Sequence, residues 1–390
     1  MALSPLEPFT NHLPVRVRFG EGVLAELPDV LSALGAERPI AFVDAAVADL
    51  PAVRAALGGA TVRALPAGEP SVEDVDAAAR GVDRHDAVVA VGGGSVLDTA
   101  KGARLVAGAG GSIRRFAWPG DPEPIPAPTL PLVTVPTTAG TGSEVTGGIV
   151  MVDRQRELKC GAASPSNRAQ DCLVDPALTH TLPPGPTLHG GLDVLAQAIG
   201  AIVAVTRTPV ADALAAEALR LVRDALPAVV ADGADAGARS RMACASLLAG
   251  FAMNLSEAGT DHSLGHALGV RFGIPHGLSV GVMLAEAMEH DRLAVPERFD
   301  YVADALGAPD AVDAVRALLA RVGCPTLGEL GIGPGDVDAL TEVALRAWIP
   351  VEPGPWTPAD VAAAYRRALQ ITRRTDPEEV GHGGGPAGVA

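Results

Sequence analysis

At 390 residues, with 48% apolar and 19% charged residues, the chain has the composition of a soluble globular protein and enough length for two domains. The formal net charge of −16 argues against a nucleic-acid partner, because such binding depends on lysine and arginine side chains that neutralise phosphates. No apolar run approaches the ~20 residues that cross a bilayer, and the amino terminus does not resemble a signal peptide. Scattered cysteines without a CxxC pair indicate reduced thiols. We therefore expect a cytoplasmic protein with no membrane partner.

Short apolar runs alternate with helical patterns through the first half of the chain. Apolar residues recur at three-to-four spacing over 22–34, 47–57 and 72–82. This alternation predicts βαβ units, in which helices cover a parallel sheet and ligands bind beyond the carboxyl ends of the strands. The predicted strands are Val15–Phe19, Pro39–Asp44, Thr61–Leu65, Ala87–Gly92 and Leu132–Pro136.

The fourth of these strands leads directly into a glycine-rich turn, which we call the glycine loop, and then into a helix. The loop consists of Gly92, Gly93, Gly94 and Ser95. Glycine lets the backbone approach a ligand closely, and the start of a helix offers free N–H groups to a phosphate. We interpret the loop as a phosphate site, the alternative being a tight turn that merely needs glycine. Its spacing matches neither GxGxxG nor GxxxxGK[ST].

Two other strand ends carry polar side chains suited to a nucleotide. Asp44 closes the strand IAFVD, where a carboxylate can accept both ribose hydroxyls and repel a 2′-phosphate, which favours NAD over NADP. A helix N-cap is the alternative role for Asp44. The strand ending at Pro136 leads into residues 137–146, the threonine loop, which includes Thr137, Thr138 and Thr141. These hydroxyls can bond a pyrophosphate or a carboxamide, although the pattern also fits a plain polar turn.

The pattern changes near residue 187 to Ala- and Leu-rich amphipathic segments, clearest over 210–226, 238–255 and 296–306. Such segments predict an all-helical domain packed against the sheet, with a ligand cleft between the two. We expect an α/β NAD(P)-binding domain over 1–186 and an all-helical metal-binding and substrate domain over 187–380. The Gly-rich residues 381–390 are expected to be a disordered tail.

The helical half contains the histidine-rich segment DHSLGHALGVRFGIPHG, residues 261–277. His262 and His266 are four residues apart, which places them on one face of a helix, and His276 follows a turn marked by Gly273 and Pro275. Imidazole is the commonest side-chain metal ligand and the usual proton carrier near neutral pH. The spacing alone is equally compatible with a capped helix whose histidines have no function.

Taken together, these segments resemble the metal-dependent (iron-containing) alcohol dehydrogenase family, group III. GGGSVLDTAK and PTTAGTGSEVT match two hallmark segments, and DPALTHTLPP, GGLDVLAQAI and HSLGHALGVRFGIPHG continue the match in order. The resemblance covers about residues 15–369. It implies a Rossmann-like parallel-sheet domain followed by an all-helical domain, the dehydroquinate synthase-like architecture that glycerol dehydrogenases and dehydroquinate synthases share.

The resemblance implies a set of cofactor contacts. The glycine loop and Asp98 would bind the pyrophosphate and the nicotinamide end, and Thr137, Thr138 and Thr141 would line the nucleotide. Lys159 would reach the nicotinamide ribose or the substrate side. Lys101 and Lys159, the only lysines in the sequence, would both lie at the cofactor cleft. Many members carry Asn near the position of Glu69, so a cofactor contact is lost or replaced there.

The resemblance also implies a metal site. Asp193, His262 and His276 match metal ligands of the family, and His266 matches a cleft histidine associated with proton transfer or cofactor positioning. The remaining ligand is usually a histidine, and here its position is Gln197, which is either a weaker amide ligand or a hydrogen-bond donor that never touches metal. We expect Zn or Fe, and the substitution favours zinc, because three protein ligands with an open position suit catalytic zinc. Weak metal retention and metal-free function are the alternatives.

These residues predict reversible hydride transfer between NAD(H), with NADP possible, and a small alcohol and its aldehyde or ketone. The metal would polarise the substrate oxygen, and His266 would relay a proton. We further expect a homodimer or a higher homo-oligomer. One alternative is a lyase or cyclase like dehydroquinate synthase, although the helical half has no lysine to grip a substrate phosphate. The other is a non-catalytic nucleotide-binding relative, for which Gln197 is the only support.

Overall fold

The computed structural model describes residues 8–370, so the tail expected over 381–390 lies outside the described residues. Six parallel strands form one sheet: β1 (Arg16–Phe19), β2 (Pro39–Asp44), β3 (Thr61–Leu65), β4 (Ala87–Gly92), β5 (Leu132–Pro136) and β8 (Asp171–Val174). Their order across the sheet is β1-β8-β5-β4-β2-β3. The five strands expected from the sequence are confirmed, with β1 beginning one residue later, and the short β8 was missed.

The central strands of this sheet are covered on both faces. Every residue of β4 and β5 is buried, as expected for continuous apolar runs in a parallel sheet. The first two helices pack with one face of the sheet and the next two with the other. These helices are α1 (Leu27–Ala33), α2 (Pro51–Leu57), α3 (Val72–Ala78) and α4 (Gly94–Ala109).

An antiparallel hairpin, which the sequence analysis missed, lies beside this sheet. It pairs β6 (Gly148–Asp153) with β7 (Leu158–Ala163). The Val152 N–H donates to the Pro70 carbonyl oxygen (2.9 Å), which fixes the hairpin to the loop before α3. Its turn places Glu157 in the left-handed region (φ 52°), where glycine or asparagine is usual. The turn therefore lacks the residues by which a hairpin is normally predicted.

After β8 the described chain folds as helices, and the three amphipathic segments expected from the sequence lie within α6, α7 and α10. Most of α5 is buried, which makes it the central helix of the second half. Within residues 8–370, none of the helices has the length and apolarity of a membrane span. The helices are α5 (Pro184–Val203), α6 (Pro209–Ala231), α7 (Ala236–Leu255), α8 (Thr260–Phe272), α9 (His276–Asp291), α10 (Pro296–Leu306), α11 (Ala311–Arg321), α12 (Val337–Arg346) and α13 (Pro358–Gln370).

Glycine-to-glycine contacts hold the threonine loop against the helices of the second half. A Cβ on Gly140 would lie 2.8 Å from the Cα of Gly190 in α5. A Cβ on Gly142, whose φ is 62°, would lie 2.4 Å from the Cα of Gly250 in α7. Because only glycine allows such close backbone approach, these contacts position the loop beside the helix that carries Asp193.

Candidate active site

Three helices bring acidic and imidazole side chains to one point. Asp193 lies on α5, His262 lies on α8, and His276 is the first residue of α9. One ligand atom from each residue lies within 4.8 Å of the other two. The Nε2 atoms of His262 and His276 lie 3.7 and 3.8 Å from the same oxygen, Asp193 Oδ1. The structure thus brings together the three residues that the family resemblance named.

The donor set of this cluster fits a divalent cation. Asp193 Oδ1 is buried and has no hydrogen-bond partner among the described residues. Leaving a buried carboxylate oxygen unpartnered costs free energy, and a cation would remove that cost. The distances of 3.7 and 3.8 Å to the imidazoles are too long for hydrogen bonds. They are close to the separation of ligands that each bind one zinc ion at about 2.0–2.2 Å.

Glycines at the helix crossings let these side chains meet. A Cβ on Gly277, directly after His276, would lie 2.0 Å from the His189 carbonyl oxygen of α5. A Cβ on Gly265 of α8 would lie 2.9 Å from the Val280 nitrogen of α9. The three helices therefore touch through their backbones, and the spacing of the cluster depends on these glycines.

The pKa values of the three histidines are shifted in different directions. Burial acts to lower the pKa of His262, but the carboxylates of Asp261 and Asp193 raise it to about 10. Asp261 Oδ2 lies 2.8 Å from His262 Nδ1, which leaves Nε2 to face Asp193. Burial, followed by the positive charge of Lys159, holds the pKa values of His266 and His276 well below the ordinary range. Neutral imidazoles of this kind offer a lone pair to a metal or a proton.

His266 and Gln197 complete the cleft around this cluster. The His266 ring lies 5.5 Å from that of His276, and its Nδ1 is buried and has no hydrogen-bond partner in the described part of the chain. Gln197 Nε2 donates to the Thr141 carbonyl oxygen (3.2 Å), which joins α5 to the threonine loop. Gln197 Oε1 is buried, and none of the described residues forms a hydrogen bond with it. The roles of Gln197 as metal ligand and of His266 as proton relay stay predictions.

The glycine loop and the threonine loop lie side by side at the carboxyl edge of the sheet. Gly92 of β4 pairs with Pro136 of β5, and the Thr137 N–H donates to the Gly92 carbonyl oxygen (3.0 Å). A Cβ on Gly94 would lie 2.6 Å from Thr141 Cγ2 and one on Gly93 3.1 Å from Thr138 Cγ2, so the two loops pack closely here. Ligands of open parallel sheets bind at this edge.

Asp44 lies at the same edge, at the end of the neighbouring β2. Its Oδ1 accepts a hydrogen bond from the Ala46 N–H (2.9 Å), so it caps the following turn. Capping occupies one carboxylate oxygen and leaves the ribose role of Asp44 as a prediction.

Asp98 and Lys101 of α4 are bonded within the protein. Asp98 accepts the Ser143 hydroxyl (2.5 Å) and the Val150 N–H (2.9 Å), and Lys101 Nζ lies 3.1 Å from it. Lys101 is completely buried and donates to the Gly148 carbonyl oxygen (2.5 Å). The expectation that Lys101 lies at the cofactor cleft is therefore wrong, because this lysine fastens the hairpin to α4. The nucleotide role of Asp98 stays a prediction.

Lys159 forms a contact that the sequence analysis did not find. It lies on β7, its side chain is 2% exposed, and its Nζ lies 2.6 Å from Glu69 Oε1 and 3.5 Å from His276 Nδ1. The sequence singled out Glu69 as a departure from the family but not its partner. Opposite charges 90 residues apart carry no local signal of pairing.

A glycine loop at the edge of a parallel sheet thus lies beside helices that carry an aspartate and two histidines. Residues 14–176 match the model of the iron-containing alcohol dehydrogenases, and residues 187–369 match the model of the C-terminal part of that family. The chain therefore belongs to the iron-containing alcohol dehydrogenase family. As a member, it is an oxidoreductase that acts on alcohols or on the corresponding carbonyl compounds.

Similar proteins include enzymes with different substrates. The chain is 32% identical over 380 residues to the NAD-dependent methanol dehydrogenase of Bacillus methanolicus, with 92% of this chain and 99% of that protein covered. It is 33% identical over 300 residues to the 1,3-propanediol dehydrogenase of Klebsiella pneumoniae, with 74% and 77% covered. The crystal structure of sulfoacetaldehyde reductase from Bifidobacterium kashiwanohense in complex with NAD+ has a TM-score of 0.86 and 30% identity, with 94% of this chain and 100% of that chain covered.

Proposed function

We propose that this protein transfers hydride reversibly between NAD(H) and a small alcohol and its aldehyde or ketone, using a divalent cation held by Asp193, His262 and His276. The observation that carries the proposal is Asp193 Oδ1, which is buried between two imidazole nitrogens and has no hydrogen-bond partner within residues 8–370. The neighbouring glycine and threonine loops provide a surface for a dinucleotide. The names of the methanol and propanediol dehydrogenases support small alcohols as the substrate class.

Each part of the cleft has a proposed role. A bound cation would act as a Lewis acid that polarises a carbonyl oxygen or lowers the pKa of an alcohol. The N–H and hydroxyl groups of the glycine and threonine loops, with Asp98, would hold the dinucleotide and direct its nicotinamide into the cleft. Asp44 would accept ribose hydroxyls and favour NAD over NADP. His266 would take the substrate hydroxyl proton at its unpartnered Nδ1 and return it in the reverse direction.

Zinc is the cation we favour over iron. A cation held by Asp193, His262 and His276 would keep one coordination position open, as in catalytic zinc sites. Gln197 offers an amide at the position where the family usually has a further histidine ligand. Elemental spectrometry of the purified protein is expected to find zinc, and iron as the retained metal would overturn this choice. The homo-oligomeric state and the cytoplasmic location stay predictions from the sequence.

The decisive experiment follows NADH-dependent reduction of a panel of short aldehydes. We expect activity that EDTA removes and added metal restores. His262→Ala should abolish activity and lower the metal content. His85→Ala is the matched control, because His85 precedes β4 at the opposite edge of the sheet from the cleft.

Three other outcomes would contradict the proposal. Full activity in rigorously metal-free protein would overturn the role of the cation. Turnover without net consumption of NADH would favour the cyclase alternative. Metal binding without turnover on a broad carbonyl panel would favour a non-catalytic relative.

A further inference from the structure

Lys159 places a positive charge against the proposed metal cluster. Its Nζ lies 3.5 Å from Nδ1 of His276, and the Nε2 of the same ring faces Asp193. The Lys159 stem packs at α8, where a Cβ on Gly269 would lie 3.2 Å from Lys159 Cε. The ammonium group is therefore held at the wall of the cleft by the hairpin on one side and by α8 on the other.

The one arginine of the histidine-rich segment is directed away from this cluster. Arg271 is exposed and lies nine residues after His262 on α8, which is about 180° around the helix at ~3.6 residues per turn. A substrate that carried an anionic group into this cleft would therefore have Lys159 as its counter-charge.

Glu69 already forms an ion pair with the Lys159 ammonium group. Glu69 Oε1 lies 2.6 Å from Lys159 Nζ, and the Glu69 side chain is 35% exposed whereas that of Lys159 is 2% exposed. The contact is built into the fold, because the bond from the Val152 N–H to the Pro70 carbonyl oxygen fixes the residue after Glu69 to the hairpin. The more exposed group of the pair is the Glu69 carboxylate, which repels a carboxylate or sulfonate group of a substrate.

We propose that Glu69 makes this active site select uncharged alcohols and aldehydes, because it neutralises the Lys159 ammonium that would otherwise hold an anionic group one carbon from the carbonyl. This inference rests on the proposed function and names its substrate class. The structurally similar sulfoacetaldehyde reductase is named for a substrate with such a group, a sulfonate. The pairing of Glu69 with Lys159 gives a physical reason for the opposite preference in this chain.

The experiment compares kcat/KM for propanal, which is neutral, with kcat/KM for sulfoacetaldehyde, which is anionic. Glu69→Gln removes the negative charge and keeps an oxygen that can accept the Lys159 hydrogen bond. We expect wild type to prefer propanal. In Glu69→Gln the ratio of kcat/KM for the anionic to the neutral aldehyde should rise about three- to tenfold, chiefly through a lower KM for sulfoacetaldehyde.

Two further variants show whether the effect passes through Lys159. The double variant Glu69→Gln/Lys159→Met should lose the increase in the ratio of kcat/KM for the anionic to the neutral aldehyde. A change in cofactor affinity does not alter this ratio, because both substrates are reduced with the same NADH. Glu123→Gln is the matched control, since it breaks an equally short ion pair, 2.6 Å from Arg115, among exposed side chains outside the cleft. That control should leave the ratio unchanged.

Wild type that prefers sulfoacetaldehyde, or an unchanged ratio in Glu69→Gln, would overturn the proposal. Titration calorimetry with ethanesulfonate and propanol gives the same comparison without turnover. Absence of turnover on every aldehyde would therefore contradict the proposed function but not the charge selection, which calorimetry tests separately. Ethanesulfonate that binds no tighter to Glu69→Gln than to wild type would contradict the claim that Glu69 selects against anionic substrates.

Discussion

Substitution of Gly277 by alanine tests whether the backbone contact between α5 and α9 sets the geometry of the active site. The added Cβ would lie 2.0 Å from the His189 carbonyl oxygen and 3.2 Å from Asp193 Cβ, whereas ordinary van der Waals contact begins at 3.4 Å. The close partner is a backbone atom, so no change of rotamer relieves the overlap. The start of α9, which carries His276, must therefore move away from α5 by roughly 1 Å.

The effects on stability and on activity differ in size. Overpacking of this kind costs about 1–3 kcal/mol, and each kcal/mol lowers Tm by about 2–4 °C in a domain of ~150–250 residues. A displacement of ~1 Å at catalytic groups can cost about 100-fold in rate. Gly277→Ala should therefore fold, melt several degrees below wild type, and lose about two orders of magnitude in kcat.

The measurements are kcat for aldehyde reduction, the thermal midpoint and the bound metal. Gly335→Ala is the control, because no heavy atom lies within 4 Å of the position its Cβ would take. Unchanged kcat and metal content in Gly277→Ala would show that the contact does not control the distance between His276 and Asp193.

Two further substitutions give expected outcomes at other sites. Asp44→Ala removes the carboxylate at the end of β2 and should raise kcat/KM with NADPH relative to NADH about tenfold, and an unchanged ratio contradicts the ribose role. Burial raises the pKa of Asp291 to about 6 from the ordinary 3.8, so ionisation disfavours the folded state as the pH rises through that interval. Asp291→Asn should be more stable than wild type above pH 6, by about 1–3 kcal/mol, and lose that advantage below pH 4. Urea unfolding at pH 4 and at pH 8 measures this, and a less stable variant at pH 8 contradicts it.

The elements that could be predicted from the residues alone are those whose signals are local. β4 and β5 are continuous apolar runs because both faces of each strand are buried, and such runs are visible without a structure. The glycine loop was visible as three glycines between a strand and a helix, a pattern contained within a few residues. The turn of the β6–β7 hairpin carries no such signal, since Glu157 adopts a left-handed conformation without glycine.

Contacts between side chains that are distant in sequence could be identified only from the fold. Spacing showed His262 and His266 on one helix face, and the family resemblance named Asp193. The position of Asp193 Oδ1 between two imidazoles, without a hydrogen-bond partner among the described residues, results from the crossing of α5, α8 and α9. Lys101 and Lys159 look alike in sequence, yet the first is sealed inside the sheet domain and the second pairs with Glu69 beside His276. Charge and burial depend on neighbours brought together by the fold, and those neighbours leave no trace in the residues adjacent along the chain.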